Sequence, residues 1–474
     1  AGSSVKLIQT GKMNVRSCPI KTKEVPLHLF EAIQSGEGGI IPIPELGNVG
    51  DGCAYKYPPR DVGAELRTLH VHASLHEEAV GRCDPDWVRL EECLSATYVG
   101  RPLDPSLADI EVCTQTANSV SSPGYPWVQR GFATKQAVIS DPNALKLAWS
   151  VVYYRMCLLA GLMASELEWY RLHPTAAVLD GVRDFAKIFI KNEPHKLNKI
   201  NDGRLRIIIS TSITDYLLER VLWHNQLQAE QRELYSHGNL VGIGFTAEQA
   251  RDFTYAIQKK AAEHDAQHIL SIDAKAWDWS LTTDVMALEV KVYTQQAQHY
   301  ADFLRVAHQQ TVMTHCYVVR DGRCVEMHHR GGIASGMMTS GRLRTAQMNS
   351  TIACAFARYA GASYAYAMGD DCLALIPDGV SLGSYEELGP RLGDNVSYDI
   401  DDDCVFEFCK HYYALQDPDS IHMLEVSKTV CQLITEGYTE ERETSLSSGV
   451  FRASKGHASL ANLHAIIGLI RGKL

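Results

Sequence analysis

No two cysteines in this chain stand at C-x-x-C spacing, no apolar run reaches membrane-spanning length, and no segment repeats. Each absence excludes something. The 13 cysteines are odd in number and scattered, which fits reduced thiols of a cytosolic protein better than a disulfide framework. Cys316, Cys324, His328 and His329 come nearest to a zinc set. Their segment, HCYVVRDGRCVEMHH, lacks the usual short ligand pairs and reads better as a β-hairpin turning at Asp321-Gly322. The best apolar candidate, VVYYRMCLLAGLMA, is too short and carries Arg155, so no intrinsic membrane segment is expected. No secretory signal stands at the start. Positive charge is also short: the net charge is −11, so a polyanion site would have to gather its cations locally.

What is present is substantial. The 474 residues are 45% hydrophobic, enough for a large enzyme with one or more cores. Residues 1–130 are loop-rich, with clusters such as GEGGIIPIPELGNVGDG, and read as irregular structure wrapped over something else. Residues 141–178 turn helical, as does SITDYLLERVLWHNQLQ. HILSID reads as a strand ending at Asp273, and DVMALEVKVYTQQAQHYADFLRVAHQ has helical periodicity. RLRTAQMNSTIACAFARYAG reads as a helix that Gly361 stops, and SYAYAMGDDCLALI as strand, tight turn, strand. The class is therefore mixed α/β (α+β), with carboxylates at a strand end and in a turn.

Asp370 and Asp371 follow Gly369 in that turn. Adjacent carboxylates repel unless a cation sits between them or one is protonated or well solvated. With Asp273 beside them they would form an oxygen-rich site suited to Mg²⁺. Taken alone, Gly-Asp-Asp is equally an ordinary exposed turn. Residues 183–206 supply the local basic concentration, with seven Lys and Arg against three carboxylates.

Asp273-Ala-Lys-Ala-Trp-Asp278-Trp-Ser resembles the first palm motif, D-x4-D, of viral RNA-dependent RNA polymerases. Its Trp-Asp-Trp-Ser form is similar to the sobemovirus and polerovirus group in particular. The likeness covers most of residues 115–440, with the motifs in the family's order. It implies that Asp273 binds metal and that Asp278 recognises the ribose 2′-hydroxyl. Trp277 and Trp279 read as packing residues. The family's next motif, S-G-x3-T-x3-N, could start at Ser335-Gly336 or Ser340-Gly341. Only the second register fits throughout, with Thr345 and Asn349 at the required places. Those two are four apart, on one helix face that can meet Asp278 and the incoming ribose, while Arg344 points elsewhere, so the resemblance implies nucleotide binding by Asp278, Ser340, Gly341, Thr345 and Asn349. Gly369-Asp370-Asp371 resembles the third motif, with Asp370 as the shared metal ligand and Asp371 contributing more weakly.

KIFIKNEPHKLNKINDGRLRIII looks like the fingers motif that guides triphosphates, which assigns nucleotide binding to Lys191, Lys199 and Arg206. Ser122, Gly124 and Pro126 fall in a loop similar to the one lining the template channel. Cys409 and Lys410 fall in a hairpin similar to the one that grips the priming strand, and Lys428 in a segment like the start of the thumb. One departure stands out. The family often carries a Lys between the Gly-Asp-Asp turn and that hairpin as general acid. Residues 377–403 here have only Arg391, a poor proton donor.

The resemblance implies a right hand: fingers with an N-terminal extension and an interleaved palm segment over 1–267, palm over 268–411, and a small thumb over 412–474. It implies template-directed RNA synthesis for a positive-strand RNA virus, with two Mg²⁺ ions and Mn²⁺ as substitute. Implied partners are template and nascent RNA, nucleoside triphosphates, and a viral protein primer or other replication proteins, at replication complexes in the host cytoplasm. The rivals are a reverse transcriptase, against which Asp278 and Asn349 speak, and an inactive RNA-binding protein on the same fold.

Overall fold

The computed structural model describes residues 6–15, 21–98, 104, 110–115, 117, 120–295, 297, 299–308, 316–329, 332–333, 343–423, 426–443 and 456–472. At its centre is an antiparallel four-stranded sheet in the order Tyr364–Met368, Asp371–Pro377, Ala266–Ile272, Val396–Asp399. The alternation in SYAYAMGDDCLALI explains its packing, because strand neighbours point to opposite faces. One face presents small side chains, Ala365, Ala367, Cys372 and Ala374, which admit the helix Leu343–Tyr359 close to the strands. The other presents Tyr364, Tyr366, Leu373 and Leu375 to the helix Ala247–Glu263 and the hairpin Val405–Phe408/His411–Ala414. Both faces are thus covered.

A second sheet runs Lys6–Lys12, Arg323–His329, Tyr317–Val318, Ala186–Ile190, Ile207–Ser210. The Asp321-Gly322 hairpin forms as expected, Tyr317 pairing with Val325. The N-terminal segment around Phe30, Ile33 and Ile43 shares a core with Val430, Leu433 and Ile466 near the other end of the chain.

Two expectations are corrected. Residues 62–97 are not loops but the helices Val62–Arg82 and Trp87–Thr97, started by Asp61 and Asp86, whose side chains accept from the N–H groups of Ala64 and Arg89. The longer one hides its periodicity because its buried face carries Glu65, Thr68, His72 and His76. These are bonded inside: His72 Nε2 to the Leu205 carbonyl at 2.9 Å, His76 Nδ1 to the Trp279 carbonyl at 2.9 Å, and the Arg320 N–H to Glu65 at 3.0 Å. The helix expected over 284–309 is two, Thr283–Thr294 and Ala301–His308; the intervening QQAQHY offers no apolar stripe to bury.

Among the described residues no single helix is long and apolar enough to cross a membrane. One bent pair, Pro142–Gly161 with Ser165–Leu172, passes by length and composition; its first helix buries Ala148, Val152 and Leu159 in the protein core.

Candidate active site

Strand register gathers the carboxylates. Ile272 pairs with Cys372, so Asp273 and Asp371 follow at the same end of neighbouring strands. Met368 pairs with Asp371, and Gly369-Asp370 make the turn between them. Gly369 takes φ 64°, a left-handed conformation that glycine adopts freely. Its N–H donates to Ser350 Oγ at 2.9 Å, which ties the turn to the helix behind the sheet. Beyond Asp273 the chain turns through Ala276, at φ 49°, into the short helix Trp277–Ser280. That turn brings Asp278 within electrostatic reach of Asp370.

Asp370 is the common neighbour of the cluster. All four carboxylates keep exposed surface on the open side of the site, with protein close behind them. Burial and then the charge of Asp370 push the Asp278 carboxyl up to about 7 and the Asp371 carboxyl up to about 6. Asp370 itself is raised by burial, with Asp273 adding repulsion. Among the described residues two cations oppose this: Arg206 acts on Asp278 and Asp370, and Lys410 on Asp370 and Asp371. Lys410 reaches them from a two-residue hairpin turn in which Cys409 and Lys410 both take left-handed φ, 50° and 62°. The Cys409 thiol donates to Asp371 and is itself pushed up by burial and by both aspartates.

The donor set is all carboxylate oxygen, which suits a hard divalent cation. Among the described residues no three such groups form a ready-made cation cage.

The basic segment forms a second pole. Glu193 sits buried at its middle and pairs with three cations: Lys191 Nζ at 3.1 Å, Arg206 Nη1 at 3.2 Å and Lys428 Nζ at 2.8 Å. Burial would raise the Glu193 carboxyl, but Lys428 and Lys191 outweigh it and hold it down at about 2. His195 braces the same loop. Its Nδ1–H donates to the Glu193 carbonyl at 2.8 Å, leaving Nε2 to accept the Arg206 N–H at 3.3 Å. Burial lowers the His195 pKa, consistent with a neutral ring. Lys199 is exposed nearby; burial and the neighbouring cations, Arg206 first, lower its pKa.

The remaining residues singled out from sequence are placed as follows. Asn349 is buried and accepts from Trp277 Nε1 at 2.6 Å, so it meets the residue beside Asp278, not Asp278 itself. Thr345 is buried, and its hydroxyl has no partner among the described residues. Arg344 points away, into a fully buried pair with Glu289 over the Tyr293 ring. Ser335, Ser340 and Gly341 lie outside the described residues. Ser122 lines a cavity of about 780 Å³ with Arg60, Tyr125, Lys187, Phe189 and Arg320. Gly124, at φ 68°, packs its backbone against Thr211-Ser212, where a side chain would collide, and Pro126 follows Tyr125 through a cis peptide.

Sequence reasoning missed Glu193 as an organiser, His195, Ser350, and the loop Gly393-Asp394-Asn395 against Asp273. Glu193 stood in plain view inside the basic run and was counted only as one of its acids. Ser350, next to Asn349, carried no signal of its own.

Residues 162–397 match the family model described as viral RNA-directed RNA-polymerase. The chain is 30% identical over 334 residues to the RNA-directed RNA polymerase of Mushroom bacilliform virus, covering 66% of this chain and 75% of that protein. It is 29% identical over 360 residues to the replicase polyprotein P2AB of Southern bean mosaic virus, covering 71% of this chain and 34% of the polyprotein. It is 26% identical over 345 residues to protein P1-P2 of Potato leafroll virus, covering 70% and 30%. The chain thus spans about a third of the length of the latter two relatives.

Proposed function

Since the chain belongs to the viral RNA-directed RNA polymerases, we propose that it joins ribonucleotides on an RNA template, with the carboxylate cluster as reaction centre and the Glu193 cluster as triphosphate seat. The central sheet and its helices are then the palm, the basic strands around residues 186–210 belong to the fingers, and the C-terminal helices form a small thumb. The observation that carries this is the place of Asp370. It is the shared neighbour of Asp273, Asp278 and Asp371, with Arg206 reaching toward it from the basic pole.

In the proposed reaction the 3′-hydroxyl oxygen of the growing strand bonds to the α-phosphorus of a nucleoside triphosphate. The bond from that phosphorus to the α,β-bridging oxygen breaks, and pyrophosphate leaves. Two Mg²⁺ ions, or Mn²⁺ in their place, held by Asp273, Asp370 and Asp371 would supply activation of the attacking hydroxyl and stabilisation of the leaving oxygen. Arg206, Lys199 and Lys191 hold the triphosphate, Arg206 by forking two phosphate oxygens. Asp278, with its carboxyl near neutrality, can accept from or donate to a ribose 2′-hydroxyl. Asn349 holds Trp277 and so the backbone that presents Asp278, and Asn349 with Thr345 in support helps Asp278 check the sugar. Lys410 and Cys409 face the carboxylates from the priming side, and the Ser122 cavity takes the template. We extend the proposal to replication of a positive-strand viral genome at replication complexes in the host cytoplasm, with a protein primer or other replication proteins as partners.

The test is primer-independent synthesis on a short RNA, with Asp370→Asn as control. Incorporation should require a divalent cation and fail in the variant. Full activity of Asp370→Asn would remove the metal assignment. A preference for deoxyribonucleotides on an RNA template would favour a reverse transcriptase instead, and no incorporation by the unaltered chain would favour an inactive RNA-binding protein.

A further inference from the structure

The segment that lacks the expected Lys is built around Asp273. Arg391 and Leu392 pair with Lys275 and Ala274, and the Gly393 N–H continues that ladder to the Asp273 carbonyl at 2.6 Å. Pairing resumes at Val396 with Ser271. Between these points Asp394 and Asn395 face the single residue Ile272, which makes a β-bulge. The bulge turns two groups onto Asp273. Asn395 Oδ1 accepts the Asp273 N–H at 2.8 Å, and the Asp394 N–H donates to Asp273 Oδ2 at 3.3 Å.

Gly393 completes the fit. Its φ is not left-handed, so the backbone does not call for glycine there; the space does. A Cβ at this position would overlap Asp273 Oδ2 and stand 2.7 Å from Asp273 Cγ. A glycine in a strand commonly marks such a close approach.

We infer that the bulge Gly393-Asp394-Asn395 is the positioning element of Asp273. It engages the backbone N–H, the carbonyl and one carboxylate oxygen, and leaves the other oxygen for a cation. Asp273 is exposed, just beyond the end of its strand, and needs such support: a metal ligand whose outer partners are absent wanders among rotamers and binds more weakly. The inference rests on the proposal that Asp273 and Asp370 are metal ligands.

The test is Mn²⁺ binding to the full chain, read from the free-Mn²⁺ electron paramagnetic resonance signal without RNA or nucleotide. Gly393→Ala should weaken binding about 10- to 100-fold, the range seen when outer partners of metal ligands are removed. Asn395→Ala should weaken it less, and Asn395→Asp, which keeps an acceptor, should bind better than Asn395→Ala. Gly383→Ala, where a Cβ meets open space, should bind as the unaltered chain does. Thermal melts establish that each variant folds, and the Asn395 pair decides the matter if Gly393→Ala does not. Unchanged Mn²⁺ affinity in folded Gly393→Ala and Asn395→Ala, with affinity lost in Asp370→Asn, overturns the positioning role and spares the metal assignment. Affinity unaffected by Asp370→Asn, or no Mn²⁺ binding by the unaltered chain, overturns both.

Discussion

The two charged poles of the site are built on opposite plans. At the sheet end, three carboxylates crowd around Asp370, and among the described residues Arg206 and Lys410 are the cations that offset them. At the basic end, one buried carboxylate, Glu193, is shared by three cations. The acidic pole is left under tension, with Asp278 and Asp371 raised toward neutrality, while Glu193 is held at about 2. A site under tension gains most from a cation that arrives with substrate. A satisfied site has its side chains already arranged when substrate comes. On the proposed function, the difference separates a pole that does chemistry from a pole that seats its substrate.

The largest test of that contrast is Asp370→Asn. Synthesis should fall by about 10³-fold or more, since the charge organising the reaction centre is gone. The KM for nucleoside triphosphate should change little, because the basic pole is intact. A KM that rose as far as kcat fell would erase the distinction.

Next comes Glu193→Gln. Removing this charge also removes a competitor for the cations, so two effects oppose. Freed Lys and Arg side chains each cost about 0.5–1.5 kcal/mol to immobilise again, more than one screened charge returns. KM should therefore rise, by several-fold to about tenfold for a net loss near 1 kcal/mol, with kcat nearly kept. A KM that fell would recast Glu193 as a gate that the triphosphate must displace.

Asp278→Asn probes the tension directly. A carboxyl raised from its unfolded range near 4 to about 7 binds its proton more tightly when folded, so stability drains away as pH rises between those values. The amide removes that loss. Its melting temperature should exceed that of the unaltered chain at pH 7.5–8, and the gap should close by about pH 4. A gap of equal size at both ends would mean that packing, not charge, decides.

The smallest effect belongs to Lys410→Met. Lys410 holds Asp370 and Asp371 down, so its loss should move the acidic limb of the pH–rate profile upward by less than about one unit. No movement would place the Lys410 charge outside the reacting assembly.

How far sequence foretold structure depended on what carried the signal. The strand ending at Asp273, the hairpin around Gly369 and the helix closing before Gly361 were legible because alternation, a turn glycine and a stop glycine are local. The helix Val62–Arg82 was not, since its inward face is partly polar and its partners, Leu205, Trp279 and Arg320, lie far along the chain. Arg344 was correctly turned away from the Thr345–Asn349 face. Its destination, a buried pair with Glu289 beneath Tyr98, needed three helices to be packed first. Gly393 looked like any loop glycine until the Asp273 carboxylate stood against it. Lone residues whose meaning is spatial leave no pattern to read.

The tie between Glu193 and Lys428 sets a schedule. A ribosome delivers Glu193, Lys191 and Arg206 early and the helix bearing Lys428 much later, by tens of seconds at about 5–20 residues per second. Until that helix emerges and docks, the basic pole has two of its three cations. The newborn chain would therefore reach full grip on a triphosphate only after the Lys428 helix has been made and docked, so that assembly of the seat doubles as a timer on first activity.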